Sequence, residues 1–194
     1  MNDTADPEYA ERLERLGGAS WKRILDVQRP YRWNLRRLDL GRTLDVGCGV
    51  GRNLRTLSVE SIGVDHNREC VAAARARGLT AYTTDEFAAV SPGAFDSILI
   101  AHVLEHLSES DADNLLRSYL SLLKSGGKVV MITPQEAGFR SDSTHVRFVD
   151  FSGMRALADR MALVLLRQYS FPLPRFVGKV FPHNEFVTVC RSRS

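Results

Sequence analysis

The sequence is poor in lysine. Four of its 26 basic residues are lysines, Lys22, Lys124, Lys128 and Lys179, and the rest are arginines. Against 23 acids the net charge is only +3, a modest balance, and a nucleic-acid substrate is not expected. Cysteine is also scarce: Cys48, Cys70 and Cys190 form no C-x-x-C pair. That excludes a disulfide framework and a structural zinc site, and it fits a reducing, cytoplasmic compartment. Long apolar runs are missing. The longest, Ser97 to Ala101 with Val103 and Leu104 beyond His102, is too short to span a bilayer, so no membrane partner is expected. The opening MNDTADPEYAERLE is polar and has no apolar core, so it is not expected to be a secretory signal. Repeats, low-complexity tracts and long linkers are absent too. At 194 residues the chain is long enough for one domain with a sizeable core and short for two.

What is present is a regular alternation. Residues 1 to 18 read as frayed or helical, and Ser20 is placed to cap a helix from Trp21 that Pro30 would break or restart. From Arg42 the pattern tightens. Thr43 to Val46 reads as a strand before a glycine-rich turn, and Ser61 to Asp65 as a second strand. Asn67 to Arg77 is a helix stopped at Gly78, Thr80 to Thr84 a strand, and Phe95 to His102 a buried strand. Ser108 to Lys124 carries Leu115, Leu116, Tyr119, Leu120, Leu122 and Leu123 at helical spacing and ends at Ser125-Gly126-Gly127. Lys128 to Thr133 is the next strand, stopped by Pro134. Continuously apolar strands alternating with helices imply an α/β fold, a doubly wound, Rossmann-like parallel sheet with helices on both faces. The tail differs: Leu163 to Phe171 and Phe186 to Arg191 follow one another without a helix and predict an antiparallel pair at the sheet edge.

The sharpest motif is Leu44-Asp45-Val46-Gly47-Cys48-Gly49-Val50-Gly51, which leads through Arg52-Asn53-Leu54 into an expected helix. Glycines here let the backbone approach a ligand and are expected to leave amide N–H groups free at a helix N-terminus. The spacing is G-x-G-x-G, with Arg52 where a dinucleotide fingerprint has its last glycine, which disfavours a nicotinamide enzyme. Asp45 suits a ligand bearing an ammonium group better than one bearing a pyrophosphate. Asp65, in Gly63-Val64-Asp65, lies 18 residues after Gly47, close to the ~20-residue offset at which an acid reaches a ribose diol. Together the two motifs indicate a nucleoside ligand.

LDVGCGVGRNL, GVDHN, TTDEF, FDSILIAHVLEHL and LLKSGGKVVMITP stand in the order that resembles class I S-adenosylmethionine-dependent methyltransferases, particularly the broad type 11 group. The resemblance covers roughly residues 42 to 135. It implies S-adenosylmethionine as cofactor and S-adenosylhomocysteine as product. It also implies a seven-stranded sheet of order 3-2-1-4-5-7-6 with an antiparallel last strand. By the same resemblance Gly47, Cys48, Gly49 and Gly51 would pass beneath the methionine half, with Asp45 near its amino group. Asp65, followed by His66, would hold the ribose hydroxyls, and Asp85, Glu86 and Phe87 would face the adenine. Ala101 and His102 would flank the sulfonium.

Two further readings concern the chemistry. His102-Val103-Leu104-Glu105-His106 matches the H-x-x-E-H of inverted zinc-protease helices but sits at a strand end, outside that context. The stretch also resembles the E-x-x-E-H of small-RNA 2′-O-methyltransferases and ubiquinone-pathway O-methyltransferases, where it holds a divalent metal with a downstream histidine. His102 replaces the first glutamate here, and no metal is expected. His145 follows in a polar loop after the fifth strand and is the first candidate for a general base, with His102 second. No N-P-P-Y tetrad follows the fourth strand, which favours a small-molecule acceptor and a hydroxyl oxygen. An RNA methyltransferase using the basic residues between Lys22 and Arg42, or a non-catalytic cofactor-binding domain, remains the alternative. The expected layout is one methyltransferase domain: a helical cover over residues 1–41, a cofactor-binding core over 42–135, and a substrate-side loop with a C-terminal hairpin over 136–194.

Overall fold

The computed structural model of the protein describes residues 28–90 and 92–193. The helix expected from Ser20 and Trp21 lies outside them. Pro30 falls in the first turn of α1, Arg29–Arg37, where its fixed φ and missing N–H cost nothing. The chain divides into two compact units at Pro92 and Gly93.

In the first unit β1 (Thr43–Val46) pairs in parallel with β2 (Ile62–Asp65), and β2 with β3 (Ala81–Thr83). β1 and β2 are buried at every position, which explains why their sequences show no alternation. α2, Arg68–Ala76, packs on β2 and β3 and is capped by Asn67, whose side chain accepts from the amides of Glu69 and Cys70. Two expectations are corrected here. The helix foreseen after the glycine turn is a single 3-10 turn, Leu54–Thr56. The strand foreseen through Thr84 ends at Thr83. The Thr83 hydroxyl accepts from the Glu86 amide while Glu86 accepts from the Thr83 amide, and this reciprocal cap starts α3 at Thr84–Ala88.

In the second unit β4 (Phe95–Ala101) runs parallel to β5 (Leu123–Pro134). Phe95, Ile98, Leu99 and Ile100 are fully buried, each burial stabilising by about 1.5–3 kcal/mol. α4 spans Glu109–Leu120, four residues shorter than expected at its C-terminal end. Ser125-Gly126-Gly127 does not stop a helix. It forms an irregularity inside β5, with Gly126 at φ +72° and the register slipping between Phe95 and Ser97 on the partner strand. Two helices were not foreseen, α5 at Glu136–Arg140 and α6 at Phe151–Arg160. Asp150 caps α6 through the amides of Ser152 and Gly153, and Met154, Leu157 and Ala158 turn its buried face inward onto β6 and β7.

The tail strands are β6 (Val164–Phe171) and β7 (Glu185–Arg191), joined through a 3-10 turn at Arg175–Lys179. They pair antiparallel as expected, but β7 also pairs antiparallel with β5, so it is an interior strand and β6 is the edge. Burial agrees: Phe186 to Cys190 are buried, while Val164 and Leu166 are exposed. The sheet has seven strands in the order β3-β2-β1-β4-β5-β7-β6, as expected. Among the described residues no helix is long and apolar enough to cross a membrane.

Candidate functional site

The glycine turn of the first unit is built by its backbone. Gly47, Gly49 and Gly51 have φ of +73°, +51° and +82°, a region closed to most side chains. The turn lies directly on β2, since a Cβ on Gly63 would sit 2.6 Å from Cys48 Sγ. Behind it Cys48 packs with Val71, Ala74 and Ala81. Burial is the first cause that pushes the Cys48 thiol far up, with Asp45 adding to it, so this cysteine is an inert packing group.

The amides expected to be free are largely engaged. Gly47 and Cys48 N–H donate to the Val64 carbonyl at 2.8 and 3.1 Å, and Gly51 N–H donates to Cys48 O at 2.9 Å. Gly49 N–H donates to Asp65 Oδ2 at 2.7 Å, while Asn67 N–H donates to Oδ1 at 2.8 Å. Asp65 is therefore oriented by backbone on both oxygens, and each oxygen keeps a second lone pair for a diol. His66 is half-exposed beside it, with Nδ1 3.6 Å from Asp65 Oδ1.

Asp45 is different. Its side chain is 1% exposed and its Oδ2 has no hydrogen-bond partner. Burial first, then the neighbouring Asp65 carboxylate, pushes its pKa up to about 8 against the pull of the Leu54 amide. A buried carboxyl oxygen without a donor fits a ligand that brings a cationic N–H.

Of the three residues expected at the adenine, Asp85 is exposed with Arg68 4.0 Å away, and Phe87 is buried against Tyr82. Glu86 closes the α3 cap and meets Arg75 at 2.6 Å, contacts that hold its carboxyl below the usual range. It serves the fold of that corner first.

In the second unit Ala101 is buried at the end of β4 and His102 takes φ +59°, a strained conformation for a residue with a Cβ. Its ring lies between two acids: Nε2 is 2.8 Å from Glu185 Oε1 and Nδ1 is 3.3 Å from Glu105 Oε1. The ring is partly exposed; its partial desolvation works to depress the imidazole, but the contacts with Glu105 and then Glu185 outweigh it and hold His102 well above its ordinary pKa. Held as an imidazolium, it is a poor base. Glu105 is fully buried, and the contact with His102 lacks hydrogen-bond alignment, so both of its oxygens are without a hydrogen-bond partner.

His106 and His145 complete the group. The Nδ1 of His106 lies 3.1 Å from Thr144 O and that of His145 lies 2.8 Å from Phe139 O. A carbonyl only accepts, so both Nδ1 atoms carry the proton and both Nε2 atoms keep a lone pair. The two rings meet edge-on with centroids 4.8 Å apart, and Phe139 stacks on His145. Ligand atoms of Glu105, His106 and His145 lie within 4.8 Å of one another, one carboxylate and two imidazoles, a set suited to a divalent transition metal. Burial depresses the His106 pKa, with Glu105 pulling the other way. The sequence reading singled out each of these residues but set the metal aside. It missed Glu185 as a site residue, because 83 residues separate it from His102 and no local spacing signals the pair.

The segment after β6 is fixed by amide side chains. Gln135 Nε2 donates to Ser170 Oγ and to the Glu185 carbonyl, and Asn184 Nδ2 donates to Gln135 Oε1. Arg175 forms a two-pronged pair with Glu136 and lies over the Phe186 ring.

A family model described as a methyltransferase domain matches residues 3–184. The chain belongs to the methyltransferase-domain family. The methyltransferase class and the S-adenosylmethionine cofactor expected from the sequence agree with this. A curated relative, the ubiquinone biosynthesis O-methyltransferase of Xanthomonas euvesicatoria pv. vesicatoria (strain 85-10), is 34% identical over 110 residues, 50% of this chain and 45% of the relative. The chain thus spans about half the length of the curated relatives it matches. Among solved structures, magnesium protoporphyrin IX methyltransferase from Synechocystis PCC 6803 with bound S-adenosylhomocysteine superposes with a TM-score of 0.70. It is 15% identical, covering 99% of this chain and 97% of that one. A S-adenosylmethionine-dependent methyltransferase from Archaeoglobus fulgidus gives 0.67 at 18% identity, covering 87% and 99%. At these identities the likeness is one of fold.

Proposed function

We propose that this methyltransferase domain transfers the methyl group of S-adenosylmethionine to a hydroxyl oxygen of a small acceptor. The observation that carries the reading is His145, whose Nδ1 is committed to the Phe139 carbonyl so that Nε2 is the basic nitrogen. The name of the curated relatives, an O-methyltransferase, points the same way. The partnerless Oδ2 of Asp45 and the twice-pinned Asp65 support the cofactor's place, one for the ammonium and one for the ribose.

The cofactor supplies an already activated methyl group, bonded to a sulfonium that leaves as a neutral thioether. The protein therefore contributes alignment, exclusion of water and a place for one proton. With the cofactor bound, the acceptor oxygen would take its methyl group, the C–S pair would stay on sulfur, and His145 Nε2 would receive the hydroxyl proton. His102, an imidazolium between Glu105 and Glu185, orients the end of β4 and takes no proton.

A second reading rests on Glu105, whose buried oxygens have no hydrogen-bond partner. In it Glu105, His106 and His145 hold a divalent cation that would polarise the acceptor hydroxyl. The chain works as one domain in a cytoplasmic setting; three cysteines that stay as buried thiols support that compartment.

The test is a panel of phenols, alcohols and amines incubated with cofactor, read by S-adenosylhomocysteine formation and product mass. O-methylated product that survives chelator supports His145 as base. Loss on chelation with recovery on adding a transition metal supports the second reading. Turnover of amines alone would sink the hydroxyl assignment.

A further inference from the structure

Asp45 sits at the end of β1, where the groups that face it come from three places. β2 contributes the Asp65 carboxylate, the glycine turn the Cys48 thiol, and the 3-10 turn the Leu54 amide. These are an anion, a neutral thiol and one N–H donor. Asp65 is in turn held by the Gly49 and Asn67 amides, with His66 at its rim. A second negative charge beside Asp65, out of water and with one oxygen lacking any donor, is expensive. A carboxyl in that position keeps its proton until a cation arrives.

We propose that cofactor capture by this protein is coupled to release of a proton from Asp45, which is neutral in the free protein and becomes a carboxylate when a ligand's ammonium group docks against it. The inference rests on the cofactor placement proposed above. No bond other than O–H breaks: the Asp45 proton leaves to buffer, and the ammonium keeps its own. The burial that raises Asp45 to a pKa of about 8 sets the window. Below it the free protein is protonated, so release accompanies binding and affinity rises with pH. Above it the carboxylate is already formed and the coupling disappears.

The experiment is calorimetric titration of the whole protein with S-adenosylhomocysteine at pH 7 in buffers of different ionisation enthalpy, phosphate and Tris. The slope of heat against buffer enthalpy counts protons, and close to one should be released per ligand. Methylthioadenosine, which keeps the nucleoside and thioether but has no ammonium, should bind with little release. Asp45→Asn should lose the slope. Should that variant fail to fold, the wild-type protein still decides: its Kd for S-adenosylhomocysteine should fall about tenfold per pH unit between pH 6 and 7.5 and level off above pH 8. Measurable heat with no buffer dependence overturns the coupling, as does equal release with methylthioadenosine or with Asp45→Asn. Absence of any binding by the wild-type protein is a separate signature: it removes the cofactor placement, and this inference with it.

Discussion

The two units solve the problem of holding an acid in opposite ways. In the first, Asp65 is held by backbone: two amide donors, from Gly49 and Asn67, fix both oxygens. In the second, Glu105 is buried with no such donors and lies beside three imidazoles, those of His102, His106 and His145. An acid held by main-chain amides is tied to the local turn and hard to displace. An acid held by other side chains is tuned by them, and every partner becomes a point at which its behaviour changes. The Asp65 end is thus rigid by construction and the Glu105 end adjustable by substitution.

The comparison breaks most visibly at His145. His145→Ala should lower kcat by about 10²–10⁴-fold. The thermal shift given by S-adenosylhomocysteine should stay unchanged; a lost shift would mean His145 belongs to cofactor binding. Asp65→Ala should do the reverse. At about a hundred times its Kd the ligand stabilises by ~2.7 kcal/mol, and Asp65→Ala should remove that gain in a thermal melt. Retention of the full shift would detach Asp65 from the ligand.

Gly178→Ala is a smaller perturbation of the second unit alone. A Cβ there would lie 1.8 Å from Gln135 Oε1, and an overpacked site of this kind costs about 1–3 kcal/mol. Urea unfolding should show it while cofactor affinity holds, and a neutral result would mean the segment relaxes freely. The smallest effect is the pH slope from Asp45. Its pKa is raised in the folded protein, from 3.8 to about 8, so the folded state binds more protons than the unfolded state between those values. Stability from this group is present at low pH and is lost as pH rises through that window. Asp45→Asn should flatten the decline, so that the variant gains on the wild-type protein as pH rises from about 4 to about 8 in denaturant titrations of the free protein. A steeper decline in the variant would contradict the assignment.

Much of the first unit was legible because its site is local. Asp45, the three glycines and Asp65 lie within one strand-turn-strand segment, where spacing carries the geometry. The use of the glycine amides was not legible, because the Val64 carbonyl that accepts from two of them is a tertiary partner. In the second unit the residues were visible but their company was not. His102 and His145 stood out by type, yet Glu185 reaches His102 only through the pairing of β7 with β5. The α4 end was misread because Ser125-Gly126-Gly127 has the composition of a helix stop, while the chain uses it for an irregularity inside a strand. α6 carried its own signals, Asp150 as cap and Met154, Leu157 and Ala158 at helical spacing, and these were overlooked.

The place of β7 has a consequence for synthesis. It is the last described strand, yet it lies between β5 and β6, so neither gains that neighbour until Glu185–Arg191 has been made. Until then a growing chain presents β5 and β6 as two open edges, able to pair with other strands. The same late segment brings the carboxylate that clamps His102. The surroundings of His102 are therefore completed only once Glu185–Arg191 has been made, well after the glycine turn, Asp45 and Asp65 are in place.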